Sequence, residues 1–142
     1  MLVALAQDKL RELFWNKDEF LSEIVPKLKQ LIRIDEKGNP HFLVRYGKLT
    51  DRQKIALHLT ARYIAHEAKK VDSPDLAISE LRLRTGIKSS VVGARLKEMF
   101  DAGLVEKNKE EGTRYSIMPH GISGFVEDVL NVKLNSERKA KS

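Results

Sequence analysis

His58 and His66 stand eight residues apart with Arg62 between them, a spacing that on a helix forms one stripe and raises metal binding or acid–base chemistry as the first question. Two helical turns separate the imidazoles by roughly 12 Å, too far to share one ion without further ligands. The other imidazoles, His41 and His120, fall in different segments, and the absence of Cys removes thiolate nucleophiles, disulfides and Cys-ligated metals. No Gly-rich phosphate loop, "HExxH", "GxSxG" or close carboxylate pair occurs. Catalysis and a metal or small-molecule cofactor are therefore not expected, and both helix histidines are read as satisfied or exposed side chains.

The chemistry the sequence does offer is attraction of a polyanion. Basic residues number 26 and acidic residues 20, a formal charge of +6. Residues 133–142 hold Lys133, Arg138, Lys139 and Lys141 against Glu137 alone, and 51–70 hold five cations against two acids. Such a distribution favours nucleic acid, although a soluble basic protein without a specific partner has the same balance. Within "TGIKSSVVGARLKEMFDAGLVEKN", Thr85–Asn108, the cations Lys88 and Lys97 accompany Ser89, Ser90, Gly93 and Ala94. Hydroxyls and free amides at a helix start grip phosphate, and small side chains admit a close approach to a groove. Bidentate side chains, which discriminate bases by about 1–3 kcal/mol per contact, are missing from these positions. Lys107, Lys109 and Arg114 follow as outward cations around a turn, partly cancelled by Glu110 and Glu111.

These residues need elements to hold them. Gly86 supplies a tight turn between two short helices, Ile87 plugs their angle, and Val92, Leu96, Met99 and Gly103 recur on one helical stripe that must face the core. That leaves Ser90, Ala94, Lys97 and Asp101 on the opposite face, with Arg95 placed to reach a phosphate sideways or to pair with an acid. A hairpin follows, with Val105 and Tyr115 or Ile117 inward. Upstream, Thr50 and Gln53 form a capping box for a long helix on Ile55, Ala56, Leu59, Tyr63 and Ile64.

Further elements complete the chain. Residues 2–14 have helical apolar spacing; a second helix starts at the cap Asn16, with a break or kink expected near Val25 or else a restart at Pro26. Leu31–Asp35 and His41–Tyr46 flank the turn formers Lys37–Gly38–Asn39–Pro40 as a hairpin. A last helix is expected over Ile122–Leu134, followed by a disordered basic tail. Phe14, Trp15 and Phe20 suit core or subunit packing, and Phe100 and Phe125 are assigned to the core.

The stretch Asp75–Ile117, through Gly86–Ile87, Val92, Leu96 and "AGLV" at Ala102–Val105, resembles the winged helix-turn-helix superfamily of archaeal and bacterial transcription regulators. The resemblance implies an α+β, mainly helical fold: an amino-terminal helical and hairpin extension (1–47), a winged domain (48–134) and the tail (135–142). It also implies a regulator that binds double-stranded DNA through Lys88, Ser89, Ser90, Gly93, Ala94 and Lys97 in the major groove and Lys107, Lys109 and Arg114 at flanking phosphates. A homodimer through the amino-terminal helices is expected, because their apolar face must be covered, by the winged domain or by a second copy. The rival reading is a winged-helix adaptor for another protein within transcription, replication or repair machinery. No run of apolar residues is long enough to cross a bilayer, so a cytoplasmic location is expected, and the charge-rich, Cys-free composition fits a heat-adapted organism.

Overall fold

A computed structural model describes residues 9–10, 13–110 and 112–141. The helix expected over 2–14 lies mostly outside the described residues, as does Glu111 at the tip of the second hairpin.

Helix α1 spans Lys17–Leu28, and the side chain of its N-cap, Asn16, accepts the Glu19 N–H at 3.1 Å. Contrary to the expected break, it runs through Pro26. The proline falls in the last turn, so it forfeits one internal hydrogen bond, the one its nitrogen would have donated to the Ser22 carbonyl, and only two helical residues follow it. Ile24 and Leu28 are buried, and α1 packs on the carboxy-terminal helix. Its apolar face is thus covered within the chain.

Strands β1 (Ile32–Ile34) and β2 (Pro40–Phe42) pair antiparallel, with Arg33 opposite His41. Asp35 closes their turn by accepting the N–H groups of Lys37 and Asn39, and Gly38 takes the left-handed φ of 82°. The hydrogen bond from Asn39, joined by His41, holds the Asp35 carboxyl down at about 2. A 3-10 turn, Tyr46–Lys48, leads into α2, Asp51–Glu67.

The Thr50–Gln53 capping box is present in both directions, at 3.1 and 2.9 Å. Helix α2 is buried on most sides, with Ile55 through Ala61 all buried, so it is the central strut. Around it lie β3 (Leu76–Ala77), α3 (Ile78–Thr85), α4 (Ser89–Asp101), β4 (Val105–Asn108), β5 (Arg114–Ile117) and α5 (Pro119–Lys141). The three strands form one antiparallel sheet in the order β3–β5–β4, with Leu76 opposite Tyr115 and Val105 opposite Ile117.

Helix α5 begins at Pro119 and runs to Lys141, through the residues expected to form a disordered tail. Ile122, Phe125, Val126 and Val129 anchor it on the core. Growth beyond that anchor is favourable because Ser136–Lys141 contains Glu, Arg, Lys and Ala, and basic groups suit a helix carboxyl end. One buried cluster includes Ile24, Leu31 and Val44 from the extension and Leu81, Val92 and Ile117 from the later elements. The two parts of the chain therefore share a core. The α+β, mainly helical class is as expected. Phe100 departs from expectation: it is 44% exposed, because it sits a quarter-turn off the Val92–Leu96–Met99 stripe.

Candidate nucleic-acid interface

The turn between α3 and α4 is built from three adjacent residues. Thr85 donates its hydroxyl to Leu81 O and accepts the Ile87 N–H, Gly86 adopts φ 78°, and Ile87 is buried in the angle between the helices. This turn fixes which face of α4 looks outward. Val92, Leu96 and Met99 are fully buried. Ser90, Ala94, Lys97 and Asp101 are exposed on the opposite side, Ser89 and Lys88 are exposed at the helix start, and Gly93 is half-buried at the edge.

No side chain caps the start of α4, and its first turn carries no acidic residue. Its leading amides and the Ser89 and Ser90 hydroxyls therefore face outward beside the Lys88 ammonium, an arrangement suited to an anion. Packing does not demand the glycine at 93. A Cβ there would meet only Ile78 Cδ1, at 3.8 Å. Arg95 pairs with Glu98 on its own helix at 3.2 Å, the acid-pairing arrangement of its two alternatives.

The β4–β5 hairpin turns Val105, Tyr115 and Ile117 inward, as the alternation predicts. Its three cations fare differently. Lys109 is exposed near the tip. Lys107 is exposed but lies over two rings, with its ammonium 5.2 Å from the Phe100 centroid and 5.7 Å from that of Tyr115. Arg114 does not extend to solvent. It donates Nε to Asp75 at 2.6 Å and Nη2 to the Asp75 carbonyl, and its Nη1 meets Glu80 at 2.8 Å. Because β5 is the central strand, its outward residues are flanked by neighbours, and two acids, Asp75 just before β3 and Glu80 on α3, capture this one.

Burial works to raise the Asp75 carboxyl, but hydrogen bonds from Arg114 and Ser73 outweigh it and hold the group below the usual carboxylate range. Arg114 is raised in turn, chiefly by Asp75. Arg62 joins the same network through Ser73, donating Nε to its carbonyl at 2.8 Å. Sequence spacing gives no signal for the Arg114–Asp75 link, which joins residues 39 positions apart.

His58 also departs from expectation. It is 4% exposed, neither ring nitrogen has a hydrogen-bond partner, and its ring packs against Phe42 and Tyr46 at 5.4 and 6.3 Å. Burial, with the nearby Arg84 charge, pushes its pKa down to about 4, so the imidazole is neutral at ordinary pH. His66 is half-buried on the same helix. Among the described residues no cluster of His, Asp and Glu is arranged to hold a metal, and no helix is long and apolar enough to cross a membrane. Neither a protein-family model nor a curated protein matches this chain.

Proposed function

We propose that residues 48–134 form a winged helix-turn-helix and that the chain binds duplex DNA, as a transcription regulator, with phosphate contacts outweighing base reading. The observation that carries the reading is the outward face of α4, where Lys88, Ser89, Ser90, Ala94 and Lys97 are together exposed at an uncapped helix start. The order helix, strand, helix, turn, helix, strand, strand around it supports the same reading. Lys109 and Lys107 supply flanking phosphate contacts, whereas Arg114 serves the interior of the module and holds the wing in place.

Short side chains in the groove give little discrimination among bases, while each phosphate neutralised contributes about 0.9 to the slope of log affinity against log salt. Titrating two unrelated duplexes at two salt concentrations tests this. Steep salt dependence with similar affinities is expected; a large preference for one duplex with a shallow salt slope would refute it. The expected pairing of two copies falls to Leu13, Phe14 and Trp15, which remain 81%, 76% and 60% exposed, because Ile24 and Leu28 are used within the chain. Light scattering at the concentrations of the titration gives the mass.

The adaptor reading is favoured by one observation. Leu83 is 77% exposed on α3, where a phosphate backbone offers it nothing and an apolar partner would bury it.

A further inference from the structure

On the side of the molecule where α2 begins, the start of α2, the first three turns of α5 and Leu104, just before β4, enclose an open cleft of about 370 Å³. That volume lies within the range of small-molecule sites, roughly 300–1,000 Å³. None of its lining residues belongs to the DNA face assigned above.

Its chemistry is two-signed. Arg52, on α2, and Asp128, on α5, both line the cleft, yet they make no ion pair with each other. Arg52 holds its guanidinium over the Phe125 ring at 5.7 Å, with its Nε buried and without a hydrogen-bond partner. Leu104 and Phe125 line the same cleft and supply its apolar surface. The space is kept open by glycine: a Cβ at Gly124 would meet no atom within 4 Å, although the residue lies within a helix, where alanine is favoured by roughly 1 kcal/mol. Gly121, by contrast, is closed against Leu104, whose carbonyl oxygen would lie 3.0 Å from an added Cβ.

A guanidinium and a carboxylate that do not neutralise each other, in a cleft that also has apolar surface, complement a ligand carrying both charges. We infer that this cleft binds a small zwitterion of the α-amino acid class, its carboxylate on Arg52, its ammonium on Asp128 and an apolar side chain against Leu104 and Phe125. The inference is independent of DNA binding.

Amide NMR of the full chain with L-leucine, L-methionine and L-phenylalanine at millimolar concentration is the test, with phenylethylamine and phenylpropionate as the two single-charge controls for L-phenylalanine. Saturable shifts at Gly124, Phe125 and Leu104 are expected with at least one amino acid, and much weaker ones with either control. Arg52→Gln and Asp128→Asn should each weaken binding on the order of tenfold, the usual effect of losing a charge-assisted hydrogen bond. Gly124→Leu should abolish it by filling the cleft, and open space at that position leaves the variant folded. No shift with any amino acid, equal binding of a single-charge control, or undiminished binding by Gly124→Leu would each overturn the site.

Discussion

Arg114 and Asp75 are separated by 39 positions in the chain and by 2.6 Å between Nε and Oδ1. This contact joins the central strand of the sheet to the strand that precedes α3, and Glu80 extends it to α3 itself. Arg114 thus sets where the β4–β5 hairpin stands relative to the helix pair. Asp75→Ala should destabilise the fold by about 1–3 kcal/mol, since it strands a partly buried guanidinium. Urea unfolding measures the loss. Arg114→Lys should restore little of the stability that Arg114→Ala removes, because an ammonium cannot serve Asp75 and Glu80 in the same planar fork. Equal stability of the parent and Asp75→Ala would show that the network holds nothing.

For the α4 face, Lys88→Glu combined with Lys97→Glu should weaken duplex binding strongly at low salt. The slope of log affinity against log salt should also become shallower by about 2, the contribution of two phosphate contacts. Fluorescence anisotropy across a salt series reads both quantities. Both side chains are exposed and outside the ion pairs found, so circular dichroism should be unchanged. Unaltered binding by the double variant would leave the adaptor reading in place of the groove.

Gly93 separates the demands of folding from those of binding. Gly93→Ala should raise stability by about 0.5–1 kcal/mol, since the new methyl meets only Ile78 at ordinary contact distance. Gly93→Leu should cost affinity for duplex by holding α4 away from the groove. Thermal melts paired with binding isotherms distinguish the two effects, and a leucine variant that binds as well as the parent removes Gly93 from the contact surface.

The buried imidazole predicts a pH response of known sign. Folding depresses His58 from its ordinary 6.5 to about 4, so the unfolded chain takes up a proton first as the pH falls. Stability is therefore undiminished by this group above pH 6.5 and is lost progressively as pH falls towards 4, by about 3 kcal/mol in all. His58→Leu should remove that part of the acid slope. It should also be no less stable than the parent at neutral pH, because neither ring nitrogen has a partner to lose. Unfolding curves at several pH values compare the two, and parallel acid slopes would exclude His58 as the source.

Much of this architecture is legible in local patterns. The Thr50–Gln53 box, the Gly86 turn and the Val92–Leu96–Met99 stripe are specified by neighbouring residues, and each stands where the spacing puts it. The outward set on α4 follows from the stripe by geometry alone. What local patterns could not show depends on contacts between distant segments. Arg114 alternates outward on its strand, but only the sheet order brings Asp75 and Glu80 to it. His58 looks like one of many polar residues on a long helix until the hairpin lays Phe42 over it. The carboxyl end of α5 has the charge density of a solvated tail, whereas its helix inherits nucleation from the anchored turns before it.

The buried cluster that unites Ile24, Leu31 and Val44 with Leu81 and Ile117 limits how this molecule can be divided. A shortened protein starting at Lys48 would keep every residue assigned to DNA while baring the apolar wall that the missing segment covered. Such a fragment should clump or lose fixed tertiary packing, so residues 48–134 cannot be transplanted alone onto another protein, and the segment carrying Ile24, Leu31 and Val44 is scaffolding that must travel with them.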